Sequence, residues 1–189
     1  DGSKDNTEKA ASSSGAIVIR HIKNVGKGAS LKEGFDFVLK TTDFEAIIVM
    51  DGDGQHDPRD LKKFISRAGE NGDDVIVGNR MESTKNMPFV RKVTNRFMSR
   101  LLSKICRQNI PDTQCGFKLI KRAVLEKIEL DSNNYDFDSE ILLLASREHF
   151  RIGSVPVKTI YRGEISKINP IIDTFRFIGL LLKKRPDKK

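Results

Sequence analysis

Ala46-Ile-Ile-Val-Met50 runs directly into Asp51-Gly-Asp-Gly-Gln55, and this junction decides the fold. Five apolar residues in a row are typical of a strand that is covered on both faces, as in a parallel sheet. The run stops at Asp51, so the polar segment lies at the carboxyl end of the strand, where open α/β sheets bind their ligands. The junction therefore predicts an α/β domain with a site at this edge of its sheet.

Short apolar runs alternate with helical patterns on both sides of the junction. We expect strands at residues 16–20, 46–50, 74–78, 116–120 and 152–161, and helices at 29–40, 90–105, 123–128 and 139–149. A further helix is expected to start at Pro58, with Asp57 as its cap, and to end near Gly69 or Gly72. This alternation predicts a mainly parallel sheet with helices on both faces. In the helix at 90–105, helical spacing predicts an inward-facing stripe of Val93, Phe97, Leu101 and Ile105.

The composition indicates one folded domain. The 189 residues carry 34 Lys and Arg against 26 Asp and Glu, a net charge of +8, and 38% of them are hydrophobic. That length and apolar content exclude a disordered tail. A basic domain can bind nucleic acid, but the chain has two Tyr, no Trp and no recognised nucleic-acid motif. No nucleic-acid partner is therefore expected.

The cysteines and histidines exclude two further classes of protein. Two Cys, at Cys106 and Cys115, and three scattered His form neither a disulfide framework nor a Cys/His metal site. No His is spaced to pair with Cys115, so we interpret it as a structural thiol in a reducing compartment. No stretch approaches the roughly 18 uncharged apolar residues of a membrane-spanning helix.

Asp51 and Asp53 have the chemistry of a metal site. Two carboxylates separated by one glycine can face one hard cation that also takes oxygens from a diphosphate. Magnesium prefers few protein oxygens together with phosphate and water, so two Asp suffice for Mg²⁺ or Mn²⁺. The alternative is a solvated acidic turn. Because the pair follows a fully apolar strand, the sequence favours the metal site.

Basic side chains follow the next strand along the chain. Arg80 comes after the strand at 74–78 and so also lies at a carboxyl end, while Arg91 and Asn95 are one helical turn apart on one face. Guanidinium groups match phosphate oxygens better than a point charge does. We expect these three residues to hold a phosphate, whereas a solvated basic face is an equally good interpretation of Arg96 and Arg100.

Motifs along the chain resemble those of family 2 glycosyltransferases of the GT-A fold. The order is that of the family: Asp1-Gly-Ser-Lys-Asp5, Asn24-Val-Gly-Lys-Gly28, Asp51-Gly-Asp-Gly-Gln-His-Asp-Pro58, Gly78-Asn-Arg80 and Asp112-Thr-Gln-Cys-Gly-Phe-Lys118. Together they look like the branch that makes polyprenyl-phosphate sugars, the dolichyl-phosphate mannose and glucose synthases. The last motif is most similar to the glucosyltransferase version.

The resemblance implies a role for each matching residue. The donor nucleoside-diphosphate sugar and its metal are assigned to Asp1, Lys27, Asp51, Asp53 and Gln55, and the acceptor phosphate to Arg80, Arg91, Asn95 and Lys167. The plain alternative for Lys27 is a residue of the turn that enters a helix.

The implied reaction is inverting transfer of a sugar to polyprenyl phosphate, such as dolichyl or undecaprenyl phosphate. This acceptor is already ionised at neutral pH, because the second pKa of a phosphate monoester is about 6. Its attack therefore requires neutralisation of its charge and correct orientation, and it does not require a base. The catalytic set is then Asp53, Arg80 and Arg91, with Asp138 and Glu140 as further candidates.

An alternative acceptor is a saccharide hydroxyl in the synthesis of a cell-surface polysaccharide. That reaction needs a carboxylate base, which Asp138 or Glu140 would supply. Asp138 could equally cap the helix that starts near Ser139. The sequence leaves these roles open.

The resemblance also concerns the two ends of the chain. Family members carry a strand, a helix and a second strand before the Asp-Gly-Ser motif, so we expect an N-terminally truncated piece whose sheet lacks its first strands. Exposed apolar edges of such a sheet favour homo-oligomers. We expect residues 1–163 to form the catalytic domain.

Residues 164–189 predict an amphipathic helix. Its apolar face carries Ile168, Ile171, Ile172, Phe175, Ile178 and Leu182, and Lys and Arg surround that face. Such a segment lies in the interface of an anionic bilayer, and we expect peripheral attachment to the cytoplasmic face of a membrane. A C-terminal helix that packs on the core is the other interpretation.

Overall fold

The computed structural model describes residues 1–82, 84, 87–131, 137–160, 177 and 179. These residues form six α-helices and four strands. In chain order they are α1 (Thr7–Ser13), α2 (Lys27–Thr41), β1 (Ala46–Val49), α3 (Leu61–Asn71), β2 (Val75–Asn79), α4 (Phe89–Cys106), β3 (Lys118–Lys121), α5 (Arg122–Lys127), α6 (Phe137–Arg147) and β4 (Ile152–Pro156). A 3₁₀ turn, Pro58–Asp60, precedes α3.

The four strands form one mixed sheet in the order β1-β3-β2-β4. β3 is antiparallel to both of its neighbours, and β2 is parallel to β4. β1, β2 and β4 therefore point the same way, and β3 lies reversed between β1 and β2. The α/β class is as predicted. The sheet is mixed, however, whereas the sequence predicted a mainly parallel one. Three of these four strands share a direction, whereas only the β2–β4 pair is joined by a parallel ladder.

The core forms around β2, all five residues of which are buried. Burial of consecutive residues means that both faces of the strand are covered, since successive side chains point to opposite faces. Phe64 of α3 packs on Phe117 with 4.4 Å between ring centroids. α6 packs against β4 and α4. β1, by contrast, lies at the edge of the sheet with all four residues only partly buried, so the covering on both faces expected for this strand is not found.

Both ends of α3 follow from local chemistry. Asp57 accepts a hydrogen bond from the Arg59 backbone N–H at 3.0 Å and so caps the 3₁₀ turn that leads into α3. Gly72 ends the helix in the left-handed conformation, with φ 66°. Both features agree with the sequence-based prediction.

The inward face predicted for α4 is wrong for three of its four residues, and of that stripe Leu101 alone packs against the core. Val93, Phe97 and Ile105 are 49%, 53% and 44% exposed. The buried face instead carries Asn95, Met98, Ser99, Leu102 and Cys106. The reason is that polar partners turn the helix: the Thr113 backbone N–H donates to the Ser99 hydroxyl at 3.0 Å. A face that includes Asn and Ser is not found by apolar spacing.

The predicted strand at residues 16–20 is also not formed. These residues are exposed, and Ile17 is 78% exposed. A strand needs a neighbour to satisfy its backbone hydrogen bonds, and none of the strands in the described residues pairs with this segment. The chain here follows α1, a helix without buried residues that the sequence pattern did not predict.

No helix in the part of the chain that the structure describes has the length and apolar character needed to span a bilayer.

Candidate active site

Four charged side chains from four elements meet at the carboxyl end of β1. Asp51 follows β1, Lys27 is the first residue of α2, Lys118 is the first residue of β3, and Asp138 lies in the first turn of α6. We call these four residues the charged cluster. The sheet and its covering helices bring together residues that are up to 111 positions apart in the sequence.

The charged cluster alternates in sign. Lys27 Nζ lies 2.8 Å from Asp51 Oδ1 and 3.1 Å from Asp138 Oδ2. Lys118 Nζ lies 2.6 Å from Asp138 Oδ1 and also donates to the Cys115 carbonyl. Each charge therefore faces its opposite, which offsets part of the cost of removing these groups from water.

The pKa values follow from these contacts. Partial burial raises the pKa of Asp51, but the hydrogen bond from His56 and the ammonium of Lys27 outweigh it, and the net pKa lies far below its usual value. Burial lowers the pKa of Lys27, but Asp138 and Asp51 together hold it well above the ordinary lysine value. At neutral pH, Asp51 is thus a carboxylate and Lys27 an ammonium.

His56 also belongs to this site, although the sequence motifs assigned it no role there. Its Nε2 lies 3.5 Å from Asp51 Oδ2, and its ring packs on Phe117 at 5.1 Å between centroids. The side chain is buried, and Nδ1 has no hydrogen-bond partner among the described residues. His56 therefore donates through Nε2 and fixes the second oxygen of Asp51.

Gly116 allows β3 to approach the site closely. A Cβ atom at this position would lie 2.8 Å from Asp51 Cγ and 2.9 Å from Lys27 Nζ. Any larger residue must displace one of the two. The glycine in the motif at 112–118 is therefore required by packing against the site, and not by its own backbone angles.

Asp53 and Gln55 occupy the turn after Asp51. Asp53 is exposed, and its Oδ1 accepts the Gln55 backbone N–H at 2.9 Å. The Gln55 carbonyl accepts the Ile160 N–H at 2.9 Å, which ties the turn to the segment after β4. Asp51 faces Lys27, whereas Asp53 faces solvent.

Asp51 and Asp53 have the chemistry of ligands for a hard divalent cation shared with a diphosphate, with Asp51 facing Lys27 and His56 and Asp53 facing solvent. Asp51 and Asp53 offer carboxylate oxygens in one turn, and Mg²⁺ takes only one or two protein carboxylates when phosphate and water complete its shell. Within the described ranges, no group of three or more His, Cys, Asp or Glu gathers into a cage.

Asp1 holds the turn that leads into α2. Its Oδ1 accepts the Val25 N–H at 2.8 Å, and its Oδ2 accepts the Gly26 N–H at 3.1 Å. Since Lys27 follows Gly26, Asp1 positions the start of the helix that carries this lysine. Its predicted contact with the donor nucleotide stays a prediction.

Arg80 forms a buried ion pair with Asp112. Arg80 Nε and Nη2 lie 2.7 and 2.9 Å from the two Asp112 oxygens, and the side chains are 7% and 0% exposed. Burial raises the pKa of Asp112, but Arg80 more than compensates and the net pKa lies below its usual value. The guanidinium that we expected at an acceptor phosphate is thus committed to a carboxylate, and that role for Arg80 stays a prediction.

The other predicted acceptor residues lie on or beyond α4. Asn95 is buried, and its side-chain Nδ2 has no hydrogen-bond partner among the described residues. Arg91 lies one turn earlier and is partly exposed. Arg96 and Arg100 are exposed. Lys167 lies outside the described residues, as does the segment 164–189 apart from residues 177 and 179.

The two candidate bases differ in environment. Asp138 lies inside α6, so it does not cap the helix, and its two oxygens contact Lys27 and Lys118. Glu140 is fully buried and accepts the Asp131 N–H at 3.2 Å. Neither carboxylate is presented to solvent.

Cys115 is fully buried, and burial raises the pKa of its thiol to about 11. This agrees with a structural thiol.

Comparison with known proteins identifies the family of this chain and several of its relatives. A protein-family model described as "Glycosyl transferase family 2" matches residues 1–129. A protein of Methanococcus voltae named UDP-N-acetylglucosamine–dolichyl-phosphate N-acetylglucosaminyltransferase is 29% identical in an alignment that covers 85% of this chain and 72% of that protein. The polyprenol monophosphomannose synthase of Mycolicibacterium smegmatis is 29% identical in an alignment that covers 83% of this chain and 63% of that protein.

A solved structure shares the fold. Glucosyl-3-phosphoglycerate synthase from Mycobacterium tuberculosis, crystallised with Mn²⁺ and UDP-glucose, superposes with a TM-score of 0.68 at 18% identity. The match covers 99% of this chain and 67% of that one. It confirms the GT-A-type α/β fold expected from the sequence motifs.

Proposed function

Because the chain belongs to glycosyl transferase family 2, we propose that it transfers a sugar from a nucleoside diphosphate to a polyprenyl phosphate, with inversion at the anomeric carbon. The single observation that carries this proposal is the charged cluster at the carboxyl end of β1. It combines carboxylates for a cation with an ammonium for phosphate oxygens, which are the groups that a sugar diphosphate requires.

The donor diphosphate binds beside Asp51 and Asp53 in this proposal. These two Asp would hold Mg²⁺ or Mn²⁺, and the bound ion would supply positive charge to the leaving diphosphate. Lys27 donates hydrogen bonds to a phosphate oxygen, because its ammonium lies within contact of Asp51 and is held in the charged form. Gln55 and Asp1 complete the donor set, Asp1 by fixing the turn before Lys27.

The acceptor phosphate binds at the inner face of α4. Asn95 supports this, since its buried side-chain amide has a donor without a partner among the described residues. Arg91 stands one turn away on the same helix, and Lys167 adds charge. Arg80 acts through Asp112 by fixing the loop at 112–114, because the Gln114 N–H also donates to Asp112.

The carboxylates favour a phosphate acceptor over a hydroxyl. A hydroxyl acceptor needs a free base, but both oxygens of Asp138 face lysines and Glu140 is buried against a backbone N–H. A phosphate oxygen attacks without losing a proton. It forms the new bond to the anomeric carbon while the bond from that carbon to the diphosphate breaks, and the nucleoside diphosphate leaves.

Residues 1–163 are the catalytic domain in this proposal, and 164–189 attach it to the cytoplasmic face of a membrane. The relatives named for dolichyl phosphate and polyprenol support a lipid-linked acceptor.

An acceptor panel tests the proposal. The chain is incubated with UDP- and GDP-sugars, with and without Mn²⁺, and with a short polyprenyl phosphate, the matching polyprenol or a saccharide as acceptor. We expect the labelled sugar on the polyprenyl phosphate alone, and only with the metal ion. Transfer to the saccharide but not to the lipid phosphate would identify the hydroxyl-acceptor enzyme instead.

Arg91→Gln sharpens the test, with Lys62→Gln, at an exposed position of α3, as the matched control. We expect the first change to raise the KM for polyprenyl phosphate by at least about tenfold, because a charge-assisted phosphate contact is lost. The donor KM stays constant, and the control leaves both values unchanged. Equal acceptor KM values in the two variants would remove Arg91 from the acceptor site.

A further inference from the structure

The outer face of α4 carries large apolar side chains in water. An exposed apolar line along the helix, which we call the outer apolar row, is formed by Phe89, Val93, Phe97 and Ile105. Phe89 is 78% exposed and Phe97 is 53% exposed. Val90, at 60% exposure, widens the row. An 18-residue helix thus shows apolar surface over most of its length.

The core does not require this row. The opposite face of α4 already packs inward through Met98, Leu102 and Cys106. Contiguous exposed apolar surface on a folded protein marks an interaction site. The outer apolar row is therefore available for a partner.

Positive charge accompanies the row. Lys92, Arg96, Arg100 and Lys104 recur at every fourth residue, and we call them the basic row. The sequence has no Asp or Glu between Glu82 and Asp112. Arg96 and Arg100 also line a groove of about 320 Å³ beside the helix, together with Ser99 and Ser103. The surface thus combines apolar side chains with cations and a groove of headgroup size.

We propose that the outer apolar row and the basic row dock α4 on the surface of an anionic lipid bilayer. Apolar side chains enter the boundary between headgroups and acyl chains, and the basic row binds lipid phosphates. A second copy of this chain suits the surface less well, because it would bring two basic rows together.

This docking surface rests on the proposed function and deepens it, since a polyprenyl phosphate presents its phosphate at the bilayer surface. The inner face of the same helix carries Asn95 and contacts Thr113 through Ser99. Docking of α4 would thus hold the acceptor-phosphate residues within about one helix diameter of the bilayer surface.

Vesicle co-sedimentation tests the docking surface without donor or acceptor. The 189-residue chain is mixed with phosphatidylcholine vesicles that contain or lack phosphatidylserine. We expect binding to the anionic vesicles, weakened by salt. The double variant Arg96→Ala/Arg100→Ala should bind about 30-fold more weakly, since each cation near an anionic surface is worth about fivefold. Val93→Ser/Phe97→Ser should lose at least about tenfold.

Matched controls lie on α3. Ile65 is 63% exposed and Lys62 is exposed, so Ile65→Ser and Lys62→Ala make the same kinds of change on another helix surface. We expect both controls to bind vesicles as the unmodified chain does. All the altered side chains are largely exposed, and thermal melting should show that each variant remains folded.

Three results would overturn the docking surface. The first is no preference for anionic vesicles, and the second is vesicle binding by the α4 variants equal to that of the controls. The third is a dimer in sedimentation equilibrium that Val93→Ser/Phe97→Ser dissociates without any loss of vesicle binding. The two proposals fail separately. Vesicle binding without sugar transfer contradicts the proposed function alone, and transfer with no vesicle binding contradicts the docking surface alone.

Discussion

Gly116 shows, at the scale of one residue, how closely the site is packed. The change Gly116→Ala inserts a methyl group 2.8 Å from Asp51 Cγ and 2.9 Å from Lys27 Nζ, so one of them must move. We expect turnover to fall by about 100-fold, because displacements near 1 Å have that effect on reacting groups. Sugar transfer assays measure the loss.

Gly34→Ala is the control for this change, since its Cβ would meet nothing within 4 Å. Thermal melting of both variants separates a local effect on the site from unfolding. Full turnover in Gly116→Ala would mean that Asp51 and Lys27 need not hold the positions described.

Asp112 tests the buried ion pair. Asp112→Asn leaves the guanidinium of Arg80 buried without its counter-charge, and we expect a loss of about 3–5 kcal/mol in the free energy of unfolding. Urea titration measures it. Arg80→Met in the same chain should restore part of the loss. If the losses of unfolding free energy in the two single variants simply add in the double variant, Arg80 and Asp112 do not interact directly.

The pH dependence of this pair has a defined sign. The pKa of folded Asp112 lies below the value of about 3.9 for an unfolded Asp. Its stabilisation is therefore complete above that unfolded value and is lost as pH falls through the folded pKa. We expect the stability difference between the unmodified chain and Asp112→Asn to be constant near neutral pH and to shrink in acid.

The sequence predicted part of the site at this scale. Asp51 stands directly after the predicted strand, because its position depends on local pattern. Lys27 was placed in the turn before a helix predicted from residue 29, and only the family resemblance assigned it to the donor site. His56, Gly116 and Lys118 were not assigned to the site. Gly116 and Lys118 reach it only through β3, a strand about 65 residues beyond Asp51, and His56 gains its role by packing on Phe117. No spacing rule reports such contacts.

At the scale of the element, α3 offers two glycines with opposite expectations. Gly72 has φ 66°, so Gly72→Ala forces a Cβ into the left-handed region and should destabilise the fold by about 1 kcal/mol. Gly69 lies inside the helix with nothing near its Cβ position, so Gly69→Ala should stabilise by about 0.5–1 kcal/mol. Urea unfolding of both variants measures the difference, and changes of the same sign would contradict this end of α3.

The helix α4 shows what apolar spacing in the sequence predicts for a single helix and what it does not. Its start and end were predicted within one residue, because helical spacing and apolar content are local. Its orientation was wrong, since Val93, Phe97 and Ile105 face outward and Asn95 and Ser99 face inward. Apolar spacing identifies a stripe but not the partner it meets, and a surface for a lipid bilayer has the same pattern as a core-facing stripe.

At the scale of the whole molecule, the alternation of strands and helices predicted the α/β class. It did not predict the order in which the strands pair in the sheet. β3 enters between β1 and β2 in reverse direction. That insertion depends on contacts between distant segments. The insertion of β3 also brings Gly116 and Lys118 to the site. Part of the candidate active site therefore depends on a strand pairing that the sequence pattern does not predict.

Global unfolding should control the reactivity of both thiols. Cys106 and Cys115 are buried, and burial raises the pKa of Cys115 to about 11. Reaction with a thiol reagent at pH 8 is therefore expected to be slow in the folded chain and to accelerate across the urea unfolding transition. Rapid labelling of Cys115 before that transition would show that the region around β3 opens locally.

The central claim is that Asp51 and a divalent ion bind the donor diphosphate at the end of β1. The most direct measurement is calorimetric titration of UDP and GDP, with and without Mn²⁺, into the unmodified chain and Asp51→Asn, with Asp36→Asn on the exposed side of α2 as the control. We expect Mn²⁺ to strengthen binding of one nucleotide by at least about tenfold in the unmodified chain and the control, and to have no effect in Asp51→Asn. Binding that depends on Mn²⁺ equally in all three proteins would contradict the claim.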